Sequence, residues 1–346
     1  MRRCIKELTV LNYRRWNYFF SCLISAIICI CGTASIATNQ KSKTESANTN
    51  SAQERTLTFP KGASIGRLSL IPHDYLYLGQ EKLIGAASGT AKVRVPKDKL
   101  LALELSREAY VHPDRLELCS AVGLDVVNIN FMAMEDSEST WCDAVLQHAS
   151  HFKSLKCLLL NRSDVTDAGL SHLTGLRDLE CISATMTGIK GDCFKTLAQY
   201  KNLQYLSLSD DPIKQENLKY LSNCPSLSYL DLHHTGVGEL GIECLSKCAN
   251  LSTLKLADNR KVDDACIKYL LNMKHASLIS LDGTSVSFNG LKALKPLKLY
   301  LLAVSEGTCD RKDLPVLNSL AKYVKVVPRS HRVDKSTEQM WAPLHE

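Results

Sequence analysis

The sequence lacks the short motifs that mark most enzyme active sites. It contains no nucleophile elbow, no metalloprotease helix signature, no P-loop and no carboxylate pair at a spacing typical of acid–base catalysis. Two adjacent pairs, Asp210-Asp211 and Asp263-Asp264, fall at turn or helix-start positions, where carboxylates stabilise backbone amides. We therefore expect no enzymatic activity, no catalytic residue and no cofactor.

Long apolar runs are also absent, with one exception near the N-terminus. Residues 18–37 carry no charge and follow a stretch with five basic residues. A basic flank, an apolar run and the small-x-small site Ser35-Ile36-Ala37 are typical of a signal peptide, and the run is also long enough for an uncleaved signal anchor. Both alternatives for residues 1–37 place the rest of the chain outside the cytoplasm, either secreted or periplasmic, or anchored to the membrane by an N-terminal hydrophobic helix.

A strong net charge is lacking once this segment is set aside. Residues 1–37 hold five basic residues and one acidic residue, so their removal lowers the formal net charge from +6 to +2. Nucleic-acid binding requires a clustered basic face, which this sequence does not provide. We expect no nucleic-acid partner.

The composition predicts four further regions after the export segment. Residues 38–56 are rich in Ser, Thr, Asn, Gln and Lys, as in a disordered polar linker. Residues 57–113 contain short alternating apolar runs separated by Gly and Pro, which predict a small β-rich module. Residues 114–328 are repetitive, and residues 329–346 form a C-terminal tail.

The repeats recur at a step of 24 residues in the centre of the chain. Each unit has the pattern L-x-x-L-x-L, a polar turn and an amphipathic run, which together predict strand, turn and helix. Neither the strand nor the helix can bury its apolar face alone, so stacked units must share one core. The pattern predicts about nine coils, which start at Leu124, Leu155, Leu176, Leu203, Leu227, Leu251, Ala276, Pro296 and Ala321.

The unit from Leu155 has the sequence LKCLLLNRSDVTDAGL. It resembles the leucine-rich repeat family, in the L-x-x-L-x-L-x-x-T-x-V-T-D-x-G-L variety found in exported proteins of bacteria such as planctomycetes. Asp211 and Asn259 depart from the variety at a position where it prefers Thr. The resemblance implies an α/β solenoid with a curved parallel sheet on the concave side and helices on the convex side.

Side chains between the Leu positions should point away from the core and line the concave face. Tyrosines flanked by charged groups are typical of protein-recognition surfaces, although any exposed sheet must carry some polar residues. We predict binding of an unidentified protein, or of a glycan, through this face. The candidate binding residues are Asp178, Glu180, Tyr205, Ser207, Tyr229, Asp231, His233, Lys255 and Asp282.

An alternative function is substrate recognition in a ubiquitin ligase complex. Junctions such as Asn-Cys-Pro-Ser-Leu and Lys-Cys-Ala-Asn-Leu resemble the cysteine-containing leucine-rich repeats of F-box proteins. That role requires a cytosolic location and an adaptor-binding helical module before the repeats. The export segment and the β-rich module favour the extracytoplasmic scaffold.

Ten cysteines follow the export segment, and most fall at apolar positions of the repeat. Cys181, for example, is predicted to fill the core column of Leu208, where cysteine acts as a small apolar residue. Cys224 and Cys248 occupy equivalent places in adjacent units, so a disulfide between them is an alternative in an oxidising compartment. No metal site is predicted, because neighbouring residues of a strand, such as His233 and His234, point to opposite faces.

Overall fold

The computed structural model describes residues 52–73, 81–132 and 140–328. The predicted export segment (1–37) with its hydrophobic helix, most of the predicted linker and the C-terminal tail (329–346) lie outside the described residues. In the described ranges no helix is both long enough and apolar enough to cross a bilayer.

The described residues form short strands that alternate with short helices. The strands are β1 (Gln53–Thr58), β2 (Gly66–Pro72), β3 (Lys82–Ala86), β4 (Thr90–Val95), β5 (Lys99–Leu105), β6 (Val126–Asn128), β7 (Cys157–Leu159), β8 (Cys181–Ser183), β9 (Tyr205–Ser207), β10 (Tyr229–Asp231), β11 (Thr253–Lys255), β12 (Leu278–Ser280), β13 (Leu299–Ser305) and β14 (Ala321–Val327). The α-helices are α1 (Arg107–Val111), α2 (Trp141–Ala149), α3 (Asp167–His172), α4 (Phe194–Leu197), α5 (Glu239–Leu245), α6 (Ile267–Leu270), α7 (Phe288–Ala293) and α8 (Leu314–Asn318). Short 3-10 helices cover Pro113–Leu118, Gln215–Asn223, Asp264–Cys266, Lys295–Leu297 and Arg311–Asp313.

Strands β5 to β14 run parallel in sequence order and form most of one 12-stranded sheet. The N-terminal region completes this sheet, because β2 pairs antiparallel with both β5 and β3. Strands β1 and β4 form a separate two-stranded sheet, and β1 begins at Gln53, inside the predicted linker. Three strands from the region predicted as a β-rich module thus extend the sheet of the repeats.

The 24-residue step places equivalent leucines side by side in the sheet. Leu206 pairs with Leu230, and Leu230 pairs with Leu254. These three side chains are almost completely buried in the main core, together with helix residues such as Leu245. The chain is therefore a solenoid of the leucine-rich repeat type, in which the strands and helices of successive coils share one core. The opposite face of the sheet, whose buried apolar clusters come from strands alone, is termed the helix-free face.

The central coils turn after their strands through a residue in the left-handed backbone region. The φ values at Asp210, His234 and Asp258 are 61°, 52° and 57°. Asp and His tolerate this region better than most residues with a side chain. The backbone amide of each of these three residues donates a hydrogen bond to a carbonyl of the next coil, which links successive turns.

Helix starts are joined from coil to coil by side-chain acceptors. The Asp167 carboxylate accepts hydrogen bonds from the amides of Lys190, Gly191 and Cys193 in the following coil. The Asp264 carboxylate likewise accepts from the amide and hydroxyl of Ser287. Amides in the segments that lead into α4 and α7 are satisfied in this way, which couples these coils to their neighbours.

In two irregular units the predicted start of the strand pattern is wrong by three residues. Ile182 pairs with Leu206, so the unit predicted from Leu176 has its strand pattern as Leu179-x-x-Ile182-x-Ala184. Cys181 consequently lies in the column of Tyr205 on the helix-free face, not in the core column of Leu208. In the unit predicted from Pro296, Leu302 pairs with Ile279, and the pattern begins at Leu299.

Candidate protein-binding surface

The first and third residues of the central strands form two columns on the helix-free face. Tyr205 pairs with Tyr229, and Ser207 pairs with Asp231, which in turn pairs with Lys255. The strand alternation follows the prediction here, since the middle residue of each strand points into the main core. Five predicted binding residues are brought together in three adjacent coils.

The two tyrosine rings stack on each other. Their centroids are 4.3 Å apart with an interplanar angle of 12°. The Lys255 ammonium lies 5.2 Å from the centroid of the Tyr229 ring, on which it forms a cation–π contact. Tyr229 is only 3% exposed as a result, so its ring supports the surface more than it forms it.

Asp231 and Lys255 form an ion pair beside this stack. The Lys255 Nζ lies 3.2 Å from the Asp231 Oδ2, and the His233 amide donates to Oδ1 over 3.1 Å. Burial acts to raise the pKa of Asp231, but the Lys255 charge and the His233 amide outweigh it, so the pKa is lowered. Burial acts to lower the pKa of Lys255, but Asp231 outweighs it and the pKa is raised. Both groups are therefore charged at neutral pH.

Two histidines at the end of β10 extend the charged surface. His233 Nε2 lies 3.6 Å from Asp258 Oδ2, and His234 Nδ1 lies 2.9 Å from Asp210 Oδ1. Each histidine thus faces a carboxylate of a different neighbouring coil. The side chains of these four residues are between 29% and 33% exposed, which leaves them accessible to a partner. Within residues 52–73, 81–132 and 140–328, no group of three or more His, Cys, Asp or Glu side chains could hold a metal ion.

Asp282 closes the C-terminal side of the surface. Its carboxylate accepts a hydrogen bond from the Ser280 hydroxyl and contributes to the raised pKa of Lys255. Burial lowers the pKa of Lys325, and Asp282 opposes that effect. We term the complete set the polar patch, which comprises Tyr205, Ser207, Asp210, Tyr229, Asp231, His233, His234, Lys255, Asp258 and Asp282.

Asp178 and Glu180 do not belong to the polar patch, which corrects the prediction for these two residues. Because the phase of their unit shifts by three, Glu180 directly precedes β8, and its carbonyl accepts from the amides of Gln204 and Tyr205. Asp178 is exposed in the loop before the strand. Asp210, His234 and Asp258 were missed because they follow the strands. Their regular spacing is the signal that could have found them. The three residues recur at a step of 24 and directly precede Asp211, Thr235 and Asn259.

An apolar cluster borders the polar patch on the same face. Tyr205 packs against it at one end. Its buried members are Ile71, Leu100, Ala102, Val126, Cys157, Leu159 and Cys181. The helix-free face is thus apolar in its N-terminal coils and polar in its central coils.

A glycine-rich turn beside the polar patch has the spacing of a nucleotide-binding loop. Gly236 and Gly238 lie between β10 and α5, and Gly241 lies in the first turn of α5, in the pattern G-x-G-x-x-G. The Gln215 Oε1 already accepts hydrogen bonds from the amides of Gly238 and Gly241, over 2.8 and 3.2 Å. These amides stabilise the contact between coils, so the turn does not present them to a phosphate.

Comparisons with known proteins were made by sequence and by structure. No family model and no curated protein matches the sequence. An internalin from Listeria monocytogenes aligns with a TM-score of 0.43 and 19% identity, over 62% of this chain and 57% of the internalin. An internalin C2 from the same organism aligns with a TM-score of 0.37 and 17% identity, over 54% of this chain and 84% of that protein. This chain therefore spans little more than half the length of the first internalin.

Proposed function

We propose that this chain is a non-enzymatic scaffold that binds a protein partner through the polar patch, outside the cytoplasm. The observation that carries the proposal is the concentration of partly exposed charged groups next to stacked tyrosines on the helix-free face. Lys255, for example, keeps 31% of its side chain exposed although it contacts both Asp231 and Tyr229. Aromatic and charged groups held in place by their neighbours lose little entropy on binding.

The charges of the polar patch indicate the chemistry of the partner. Asp210, Asp231, Asp258 and Asp282 supply four carboxylates, whereas the patch contains one lysine, Lys255, and a second, Lys325, interacts electrostatically with Asp282. With neutral histidines the local charge is negative. A partner surface that carries Arg or Lys side chains would complement it, since such groups form charge-assisted hydrogen bonds with carboxylates.

The extracytoplasmic location is supported by the sequence of residues 1–37. A basic flank followed by an uncharged apolar run directs a chain to the membrane and leaves the flank inside. Cell fractionation with N-terminal sequencing tests this part of the proposal. A chain that begins near Thr38, or a full-length chain whose C-terminal tag is degraded by protease added to intact cells, would support export. A soluble cytosolic chain with an intact N-terminus would refute it.

Affinity capture with matched variants tests the binding surface. The double variant Asp210→Asn with Asp258→Asn removes two partly exposed carboxylates, and Asn tolerates the left-handed backbone at both positions. The control double variant Glu216→Gln with Glu243→Gln removes two exposed carboxylates from the helical side. We expect a partner captured by the wild type and the control, and lost by the patch variant. Capture of the same proteins by all three chains would refute the proposal.

A further inference from the structure

Two cysteines lie side by side on the helix-free face. Cys157 opens β7, Cys181 opens β8, and the two residues are register partners in this parallel pair of strands. Both side chains are completely buried, and both belong to the apolar cluster that borders the polar patch. Both thiols are free in the structure.

The geometry of adjacent parallel strands suits a covalent link. Neighbouring strands lie about 4.7–4.9 Å apart, and a disulfide requires Cα atoms separated by about 4.4–6.8 Å. Register partners in a parallel sheet point their side chains to the same face, so the two sulfur atoms lie on the same side of the sheet. Burial raises the pKa of the Cys181 thiol well above its ordinary value, and the neighbouring Cys157 thiol raises it further. The register thus places the two thiols side by side on one face of the sheet.

We infer that Cys157 and Cys181 form a disulfide when the chain folds in an oxidising compartment, and that this bond joins two successive coils next to the polar patch. The inference depends on the export in the proposed function, because thiols stay reduced in the cytosol. Tyr205 is the next residue in the same column after Cys181. The link would therefore hold the strand against which the stacked tyrosines pack.

The oxidation is a thiol–disulfide exchange. One cysteine thiolate attacks the disulfide of an oxidoreductase of the compartment, or oxidised glutathione, and one thiolate of that disulfide leaves. The second cysteine thiolate then attacks the mixed disulfide, which forms the Cys157–Cys181 bond and releases the other thiolate. The two cysteines lose two electrons and two protons in total, and the disulfide that they attack is reduced to two thiols. Because the folded coils bury both thiols, the exchange takes place while the coils assemble.

Tryptic digestion offers a direct readout of the link. Cleavage after Lys156 and Arg162 releases peptide 157–162, and cleavage after Arg177 and Lys190 releases peptide 178–190. Each peptide contains one cysteine. The full-length chain would be treated with an alkylating reagent during lysis and digested without reduction. We expect the two peptides as one species, lighter by two hydrogens than their sum, and little of either alkylated peptide.

A refolding arm separates the disulfide from the question of export. The full-length chain, unfolded and reduced in denaturant, is refolded in detergent with a buffer of oxidised and reduced glutathione. We expect the linked peptides in this arm as well, with no link in Cys181→Ala and an unchanged link in Cys142→Ala, which removes another buried thiol. A refolded chain in which both peptides are alkylated would overturn the disulfide. A link after refolding but none in cells would overturn the export and leave the disulfide geometry standing.

Discussion

Asp211 is a buried acid whose replacement should change the pH dependence of stability. The residue is 1% exposed, and its carboxyl group accepts hydrogen bonds from the amide and hydroxyl of Thr187. Burial raises its pKa from 3.8 to about 8, because the cost of desolvation exceeds the effect of these hydrogen bonds. Asn259 fills the equivalent position two coils later, where its side-chain oxygen accepts from the amides of Thr235 and Val237. An asparagine at position 211 should therefore fit.

The direction of the effect follows from proton linkage. An acid whose pKa is higher in the folded state than in the unfolded state favours folding most at low pH, and this contribution is lost as the pH rises towards the folded value. Each pKa unit corresponds to about 1.4 kcal/mol, so the loss reaches roughly 4 kcal/mol at pH 7. Asn does not titrate. The variant Asp211→Asn should match the wild type near pH 4 and exceed it in free energy of unfolding by up to about 4 kcal/mol at pH 7.

Urea unfolding, monitored by circular dichroism between pH 4 and pH 8, measures this difference. Asp178→Asn provides the control, because Asp178 is an exposed loop residue and its replacement should leave the pH slope unchanged. An Asp211→Asn variant whose stability has the wild-type dependence on pH, or is lower at pH 7, would show that Asp211 is ionised in the folded state and that Thr187 stabilises its carboxylate. That result would refute the reasoning.

Three further comparisons of variants test the packing of the chain. Leu230→Asp should prevent folding because it places a charge in the main core, whereas Tyr229→Ala, on the other face of the same strand, should leave the chain folded at a cost of about 2 kcal/mol; equal melting curves would contradict the strand phase. Asn259→Leu should lower the free energy of unfolding by roughly 2–6 kcal/mol, because it leaves two buried amides without an acceptor. Asn259→Asp keeps the acceptor, so its free energy of unfolding should fall by less in the same urea titration. Gly66→Ala should destabilise the N-terminal strands by more than about 2 kcal/mol, because the added Cβ would lie 2.2 Å from the Glu104 carbonyl oxygen; a wild-type urea midpoint would contradict that contact.

The regular coils could be predicted from the sequence because their leucines fit the L-x-x-L-x-L pattern in only one alignment. Leu206, Leu230 and Leu254 recur at a constant step, and the polar residues beside them exclude a shift. The unit around Cys181 offers two phases, since Leu176 and Leu179 can each begin an L-x-x-L-x-L pattern. Strands of three residues carry too little alternation to decide between them. The register with β9, a contact between coils, decides it.

The outer residues of the polar patch come together through contacts between coils, which no local sequence pattern contains. The pairing of His234 with Asp210 joins residues 24 positions apart, across two coils. The roles of Asp167 and Gln215 as acceptors for the next coil arise in the same way. Strand β5 was predicted as part of a separate module, yet it pairs with β6 as the start of the parallel sheet. Such pairings follow from the stacking of the coils and not from the propensity of any segment.

Site-specific photocrosslinking in living cells tests the central claim most directly, because it captures a bound protein of any identity at a chosen position. A photoreactive amino acid would replace His233 in the polar patch in one chain, and Glu243 on the exposed side of α5 in another. The account predicts a discrete crosslinked adduct from position 233 and none from position 243. An adduct from position 243 alone, or from neither position, would contradict a binding function for the helix-free face.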